Sequence, residues 1–327
     1  MSLESASGRR PRVSVVTIAY NVERYLAQAL DSALMQNVDF DYEIVIGEDC
    51  SQDGTRAIVL DYAARYPDRI RPQLRPANLG MNRNFVATLL AARGEYIALL
   101  DADDYWTTPA KLQTQVNLLD ANPRFSICFH NALVVYEDES IPSHPFHMEA
   151  PQHLISHYRP KPVSTLDDLA GGNFMQTCSV MFRAGLYGQL PDWYLTMPTF
   201  DWPLHLLNAE HGDIAYLDEV MGVYRVHQGS FWSTDMVHYR RLSDVELMIN
   251  AYRTVDRYTG GRYVEKIKGQ LLPLYYRAAE VLLLEGAYAR AATYAMRGVL
   301  ASGASYPDHR RRSIALMKRV LRQAITP

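Results

Sequence analysis

The chain has 327 residues, 48% of them hydrophobic and 21% charged, which is the balance of an ordinary soluble globular protein. Its net charge of −3 argues against a nucleic-acid-binding protein, whose binding domain is usually strongly basic. No apolar run approaches the roughly 18 residues that cross a bilayer, and the polar amino terminus has no signal-peptide hydrophobic region. The three cysteines, Cys50, Cys128 and Cys178, are odd in number and lack metal-ligand spacing, so a disulfide framework or a structural zinc site is disfavoured and a reducing compartment fits best. We therefore predict a cytoplasmic protein.

Short apolar runs alternate with helical patterns through the amino-terminal third of the chain. The strand candidates are residues 13–18, 44–46, 70–74 and 96–100, and the helix candidates between them are residues 22–34, 58–62 and 85–92. Strand–helix alternation of this kind predicts an α/β fold with a doubly wound, mainly parallel sheet and helices on both faces. Ligands bind such sheets outside the carboxyl ends of the strands.

The pattern becomes more mixed after residue 122. Strand candidates lie at residues 125–136, 177–183 and 224–227, a loop at 141–162, a short helix at 201–211, and mostly helices beyond 235. We divide the chain into a flexible amino terminus (1–11), a domain with two halves (12–122 and 123–232), and a helical carboxy-terminal region (233–327).

The tail after Pro307 has the pattern of a basic amphipathic helix. Its cations and apolar residues are Arg310, Arg311, Arg312, Lys318, Arg319 and Arg322, and Ile314, Leu316, Met317, Val320 and Leu321. Two interpretations remain open. The helix either packs on its own domain with a solvated outer face, or it contacts an anionic membrane surface.

Aromatic and acidic residues follow three of the predicted strands: Tyr20, Asp49, and the pair Asp101 and Asp103. Two carboxylates one residue apart at a strand end suit Mn²⁺ or Mg²⁺, which prefer oxygen ligands and use only one or two carboxylates. We expect Asp103 to bind the metal directly, and Asp101 to bind it, a metal-bound water or a nucleotide ribose. The alternative is an acidic turn that caps the following helix.

Two phosphate-binding motifs are missing from the sequence. The turn after the first strand is Ala19-Tyr20-Asn21, which is not G-x-G-x-x-G, and no G-x-x-x-x-G-K-[ST] occurs. A dinucleotide-binding Rossmann site is therefore disfavoured, and P-loop phosphoryl transfer is excluded. A nucleotidyltransferase would usually carry a glycine-rich basic loop here, so that class is only an alternative. A non-catalytic scaffold is a second alternative.

Five runs of sequence, taken in order, resemble the family 2 glycosyltransferases of GT-A fold. They are VSVVTIAYNVERYLAQALDSAL, YEIVIGEDCSQDGT, NLGMNRN, GEYIALLDADDYWTTPAKL and FDWPLH, and the resemblance extends over residues 12–232. It implies a metal-dependent, inverting transfer of a sugar from a nucleotide sugar, often a UDP-sugar. The acceptor would be a hydroxyl of a saccharide, a lipid-linked molecule or a small molecule. Residues 12–122 would bind the nucleotide, and residues 123–232 the acceptor.

The resemblance implies roles for residues around the nucleotide. Tyr20 would stack on or border the base, and Asp49 would accept a hydrogen bond from it. Asn78 and Arg83 match the family's Asn-rich stretch, and Arg83 would orient Asp101 or a phosphate. The alternatives are a packing role for Tyr20 at the strand–helix junction, a helix cap for Asp49, and a solvated surface position for Arg83.

The resemblance also implies residues for the chemistry itself. Asp201 falls where the family keeps the base that takes the acceptor proton, and its aromatic neighbours would raise its proton affinity. Its alternative role is an N-cap of the helix that follows. His227 matches a late histidine that binds metal or phosphate in some relatives, the alternative being a hydrogen-bonding histidine. Arg225 and Trp232 would help to close the site over the diphosphate.

Overall fold

The computed structural model describes residues 10–139, 142–147, 161–227 and 241–325. The chain divides into two compact units. Unit 1 comprises the described residues of Met1–Leu169, Phe174–Leu195 and Thr199–His227, and unit 2 those of Ala170–Asn173, Thr196–Pro198 and Gln228–Pro327.

Unit 1 is built on a single mixed sheet. Its strands are β1 (Val13–Ala19), β2 (Tyr42–Glu48), β3 (Ile70–Leu74), β4 (Tyr96–Leu99), β5 (Tyr105–Trp106), β6 (Phe125–Tyr136), β7 (His144–Pro145), β8 (Val163–Ser164), β9 (Met181–Arg183) and β10 (Asp213–Val226). Its helices are α1 (Glu23–Leu34), α2 (Thr55–Arg65), α3 (Met81–Leu89), α4 (Lys111–Ala121), α5 (Leu166–Leu169) and α6 (Asp201–Ala209).

The strand order is β3-β2-β1-β4-β9-β6-β10-β5, with β7 on β6 and β8 on β10. The neighbours β3, β2, β1 and β4 run parallel, as do β6 and β10. The short strand β9 runs antiparallel between β4 and β6 and so joins the two parallel groups. The predicted α/β class with a mainly parallel sheet is confirmed.

Both faces of the central strands are covered. Val15 on β1 belongs to the same apolar cluster as Leu26 and Leu30 of α1. Val16 points to the opposite face because side chains alternate along a strand, and it is buried as well. Phe85 of α3, which packs on β1 and β2, is also buried. Continuous aliphatic runs are therefore tolerated here, because no face of these strands meets water.

Helix α3 and the segment after residue 176 differ from the sequence prediction in an informative way. Helix α3 begins at Met81, four residues before the first apolar residue of the predicted helix, because Gly80 adopts a φ of +80° at its amino end. The predicted strand at 177–183 is a 3₁₀ turn, Thr177–Ser179, followed by the short strand β9. Periodicity could not detect that turn, because its residues are as buried as those of a strand.

Unit 2 consists of the helices α7 (Leu242–Tyr258), α8 (Val264–Leu284), α9 (Tyr288–Ser302) and α10 (Pro307–Ile325). Helix α10 packs on α8 and α9 and buries Leu316 and Val320. Its outer face leaves Ile314 exposed by 37% and Leu321 by 50%, so the predicted apolar face is split between two sides. Among the described helices, none combines the length and the hydropathy that a membrane span requires.

Candidate active site

Three neighbouring parallel strands end at one edge of the sheet. Ala19 at the end of β1 lies opposite Glu48 at the end of β2, and the Asp49 amide donates to the Ala19 carbonyl at 3.0 Å. β4 pairs with the other side of β1, and Leu100 just beyond it donates to Val16 at 3.2 Å. The segments carrying Tyr20, Asp49 and Asp101 therefore leave the sheet at the same edge.

The acidic turn after β4 is held by its last member. Asp104 is buried, and its Oδ1 accepts a hydrogen bond from the Arg225 amide of β10 at 2.8 Å. The Arg225 guanidinium lies over the rings of Tyr25 and Tyr105, which fixes this side of the turn. The alternative that the turn caps α4 finds no support, because the amides at the start of α4 donate to other side chains. Ala110 donates to Thr108 Oγ1 at 3.3 Å, and Leu112 donates to Gln36 Oε1 at 3.0 Å. Asp101 and Asp103 stay partly accessible.

A carboxylate from a distant part of the chain lies beside this turn. Asp201, the first residue of α6, accepts a hydrogen bond from the Thr177 hydroxyl at 3.4 Å. The same hydroxyl hydrogen-bonds to Asp101. Thr177 therefore connects the turn after β4 with the amino end of α6.

The pKa of Asp101 reflects the burial of its carboxylate and the negative charges close to it. Loss of hydration raises it well above its ordinary value, and the negative charges of Asp103 and Asp201 raise it further, against a smaller opposing effect of the Thr177 hydroxyl. Three carboxylates thus converge on one place, and no cation of the described residues contributes to the Asp101 shift. Repulsion among these carboxylates is relieved either when one of them is protonated or when a cation binds between them.

His227 lies next to Asp103 at the end of β10. Its Nε2 is 3.1 Å from Asp103 Oδ2, its side chain is only 8% exposed, and its ring packs 4.4 Å from the ring of Tyr25. The described residues contain no group of three histidine, cysteine or acidic side chains that would hold a metal by itself. Mn²⁺ and Mg²⁺ need no such group, because water and substrate phosphates complete their coordination. Asp103, Asp101 and His227 fit a cation shared with a diphosphate.

Asp201 lies at the first position inside α6 and not at its N-cap. It is 8% exposed and lies inside α6, whose N-cap Phe200 makes no side-chain capping bond. Its Oδ1 accepts the adjacent Trp202 amide at 2.7 Å. Phe200 and Trp202 are buried beside it, and Phe200 stacks on Phe85 at 4.2 Å. The carboxylate is therefore flanked by aromatic side chains.

The loops on the nucleotide side are tied together by Asp49. Its two carboxylate oxygens accept the amides of Leu79 at 2.8 Å and Gly80 at 3.0 Å, and Asn78 donates to its carbonyl at 3.2 Å. Asp49 thus holds the segment before α3 and does not cap α2. Tyr20 is 45% exposed, so it does not fill the strand–helix junction.

The remaining predicted residues are less closely connected to the cluster. Arg83 is exposed on α3 and makes no ion pair with Asp101 within the described part of the chain. The adjacent Asn84 is buried, donates to the Gly47 carbonyl at 2.7 Å and accepts from Arg75 at 3.0 Å. Trp232 lies outside the described residues.

Two residues of the site were missed by sequence reasoning. Thr177 belongs to no motif, and only the fold brings it to the two aspartates. His205 lies one helical turn after Asp201, and their charges interact. Its spacing of four residues from Asp201 was a usable signal, because side chains four apart share a helix face.

The fold is that of the GT-A glycosyltransferases. The family model for "Glycosyl transferase family 2" matches residues 14–186, more than half of the chain. The chain therefore belongs to glycosyl transferase family 2 and is a glycosyltransferase. An uncharacterized protein of Mycobacterium tuberculosis is 39% identical over 79% of this chain and 72% of its own length. A putative glycosyltransferase of Bacillus subtilis, EpsE, is 35% identical over 39% of this chain and 45% of its own length.

Solved structures agree on the fold. A mannosyltransferase from Pyrobaculum calidifontis, in complex with GDP-Man and Mn²⁺, superposes with a TM-score of 0.56 at 18% identity, over 97% of this chain and 88% of its own. TarS of S. aureus in complex with UDP-GlcNAc gives a TM-score of 0.55 at 18% identity, over 96% of this chain and 92% of its own.

Proposed function

We propose that this chain transfers a sugar, with inversion, from a nucleoside diphosphate sugar to a hydroxyl of a saccharide, lipid-linked or small-molecule acceptor. The observation that carries the proposal is the closeness of Asp101 to both Asp103 and Asp201, with Thr177 donating to Asp201. The solved neighbours carry GDP-Man with Mn²⁺ or UDP-GlcNAc, which supports a nucleotide-sugar donor. The family resemblance favours a UDP-sugar.

Asp103 and His227 would hold Mn²⁺ or Mg²⁺, with Asp101 beside them. When bound, the cation supplies positive charge at the diphosphate as the bond to the sugar breaks. Tyr20 offers an exposed aromatic face to the base, and Asp49 and Asn78 form the loop beside it. Arg83 is exposed on α3 and would contact a phosphate of the donor when the donor is bound.

Asp201 would take the proton from the acceptor hydroxyl. An inverting displacement needs its base on the face of the sugar opposite the leaving group. Asp201 belongs to α6, whereas the proposed cation ligands follow the ends of β4 and β10, so the two functions reside on different parts of the fold. The aromatic side chains of Phe200 and Trp202 lie beside Asp201 and reduce its contact with water.

A binding and turnover experiment tests this proposal. UDP-glucose, UDP-N-acetylglucosamine and GDP-mannose would be screened by thermal shift with Mn²⁺, with Mg²⁺ and with EDTA. We expect one of the donors to raise Tm only when metal is present. Asp201→Asn should keep this shift while release of the nucleoside diphosphate falls about 10²- to 10⁴-fold. Metal-dependent binding of a nucleoside triphosphate instead would favour a nucleotidyltransferase, and no nucleotide binding would favour a scaffold.

We also propose that α10 contacts an anionic membrane surface from the cytoplasmic side. Between residues 307 and 325 the chain has six lysines and arginines but one aspartate. Arg310, Lys318 and Arg319 are exposed, and they share the outer side of the helix with the exposed Ile314 and Leu321. Cations beside exposed apolar side chains are typical of helices that lie on a membrane surface.

Vesicle cosedimentation tests this contact. Binding to phosphatidylglycerol vesicles should exceed binding to phosphatidylcholine vesicles and should weaken with salt. The double variant Lys318→Glu/Arg319→Glu should lose the difference. The matched control Lys266→Glu/Lys268→Glu changes the net charge equally on α8 and should retain it. Equal binding of both variants would leave α10 as a solvated helix packed on its own unit.

A further inference from the structure

One face of helix α1 contacts the carboxyl end of β10. Side chains two residues apart on a strand project from the same face, and the ring of Tyr25 on α1 contacts both Arg225 and His227. The guanidinium carbon of Arg225 lies 4.7 Å from the centre of the Tyr25 ring, and the centre of the His227 ring lies 4.4 Å from it. Gln28, three residues further along α1, accepts a hydrogen bond from Arg225 Nη2 at 2.6 Å. Tyr25 and Gln28 therefore join α1 to this strand end.

Tyr25 is itself fixed at its hydroxyl. The hydroxyl donates to Glu137 Oε2 at 2.8 Å, and Arg24 pairs with the same carboxylate at 3.0 Å. The Glu137 amide in turn donates to the carbonyl of Val226 at 2.9 Å, one residue before His227. The orientation of the tyrosine ring and the path of the backbone into His227 thus depend on the same residue.

His227 is the proposed cation ligand that comes from a distant part of the chain. It follows Asp103 by 124 residues, and its Nε2 lies 3.1 Å from Asp103 Oδ2. An imidazole can rotate about two side-chain bonds, so this distance depends on the contacts that fix the ring. The Tyr25 ring is inclined by 40° to the imidazole, and aromatic pairs prefer particular relative orientations. The contact with Tyr25 therefore restricts how the imidazole can turn.

We propose that Tyr25 is a positioning residue for the cation site, its ring holding the imidazole of His227 with Nε2 directed at Asp103. This inference rests on the proposed role of His227 as a ligand of Mn²⁺ or Mg²⁺. Tyr25 would touch neither the cation nor the sugar. An imidazole that is already oriented loses less conformational freedom when the cation binds, so the cation is bound more tightly.

Crystal structures of the full-length chain without metal test the placement and need no donor. We expect His227 Nε2 within hydrogen-bond distance of Asp103 in the wild type. In Tyr25→Leu, which removes the aromatic ring, the imidazole should take a different orientation or several. An imidazole that keeps its wild-type position in Tyr25→Leu would overturn the inference.

Manganese affinity measures the effect on the cation site. Mn²⁺ would be titrated into the full chain with UDP, or with GDP if the thermal-shift screen selects GDP-mannose, and free Mn²⁺ followed by electron paramagnetic resonance. Tyr25→Leu should raise the Kd for Mn²⁺ about 10-fold, the lower end of what partners of metal-binding histidines contribute. Tyr25→Phe keeps the ring and should retain most of the affinity. Equal losses in the two variants would contradict a role for the ring.

Tyr66→Leu is the matched control for this titration. Tyr66 is half-buried like Tyr25, and the guanidinium carbon of Arg65 lies 5.3 Å from its ring centre. It follows α2, which returns the chain to the start of β3, so it lies at the opposite edge of the parallel strands. Its replacement should leave the Kd for Mn²⁺ unchanged, and a rise equal to that of Tyr25→Leu would contradict the inference.

A double-mutant cycle separates positioning from a structural role. In the His227→Ala background, Tyr25→Leu should not weaken Mn²⁺ binding further, because the imidazole that it orients is gone. A loss of the same size in both backgrounds would overturn the inference and make Tyr25 a residue that supports the fold. If His227→Ala alone kept the wild-type Kd, His227 would not be a ligand and the inference would fail with it. The transferase proposal would then still be decided by Asp103→Ala and Asp201→Asn.

Discussion

The two sides of the unit 1 sheet differ in whether their buried ionisable side chains have partners of opposite charge. On the side of β1 to β3, the buried Glu43 lies among Arg93, Ser14 and Arg71, with ion-pair distances of 2.8 and 2.9 Å to the two arginines. Burial alone would raise the pKa of Glu43, but the hydrogen bonds from these neighbours outweigh it and lower the pKa. This carboxylate is stabilised in its charged form.

On the side of β6 and β10, Lys111 has no ion-pair or hydrogen-bond partner within the described part of the chain. It is fully buried, its Nζ lies 3.9 Å from the centre of the Trp106 ring, and burial lowers its pKa to about 7. Burial and the nearby Lys111 lower the pKa of His130 to about 3. Asp101 shifts toward its neutral form as well.

This difference indicates where ligands and water belong. A paired charge such as Glu43 stabilises the fold, and its oxygens have little remaining capacity to accept hydrogen bonds from a ligand. Unpaired groups gain most from a cation, a substrate or a buried water, because their own surroundings leave them unsatisfied. The proposed active site lies where the two sides meet, at the ends of β1 and β4 and the start of α6.

The largest effect is expected from removing a carboxylate on the unpaired side. Asp103→Ala takes away the proposed metal ligand beside His227, so the metal-dependent Tm shift of the donor should disappear and turnover should fall by about 10³-fold or more. Isothermal titration with Mn²⁺ and donor measures the first quantity. The control is Asp61→Ala, which removes an exposed aspartate that pairs with Arg65 and should change neither quantity. If donor binding by Asp103→Ala still depended on metal, the metal would have to bind at a site that does not include Asp103.

A smaller but still large effect is expected on the paired side. Glu43→Ala leaves Arg71 and Arg93 without their carboxylate, so the free energy of unfolding should fall by about 3–5 kcal/mol. Urea denaturation measures it. The control is Glu95→Ala, whose pair with Arg12 is half exposed and should contribute about 1 kcal/mol or less. If the free energy of unfolding fell by similar amounts in the two variants, the buried pairs of Glu43 would contribute no more to stability than the exposed pair of Glu95.

The sequence predicts the paired side of the sheet better than the unpaired side. Residues 13–18, 44–46 and 96–100 were readable because uninterrupted aliphatic runs have few other uses in a protein of this composition. The carboxylates at their ends followed from sheet geometry alone. Thr177 could not be placed, because the pairing of β9 and the position of α6 depend on contacts between residues far apart in the chain. Strand β5 has two residues and was too short to detect.

A third prediction concerns Lys111. Its pKa is lower in the folded protein than in the unfolded chain, so the folded protein binds fewer protons between about pH 7 and 10.5. Burying the charged lysine therefore lowers the free energy of unfolding by its full amount below pH 7, and this loss of stability disappears as the pH rises toward 10.5. Lys111→Met should therefore stabilise the fold, by an amount on the order of 2–4 kcal/mol near pH 7. The gap between variant and wild type should narrow by about 1.4 kcal/mol per pH unit above pH 7.5. Parallel urea titrations at several pH values measure it. A gap that does not change with pH would mean that Lys111 is hydrated in the folded state.

The smallest effect is expected from the hydroxyl that connects the two carboxylate-bearing segments. Thr177→Val keeps the shape of the side chain and removes its hydrogen bonds to Asp101 and Asp201. Because the bond to Asp201 is 3.4 Å long, its loss should cost about 1 kcal/mol, which is about a fivefold fall in turnover. Thr177→Ser retains the hydroxyl and should stay near wild type. A loss in Thr177→Val as large as that in Asp201→Asn would mean that the hydroxyl, and not the packing around α6, holds the base in place.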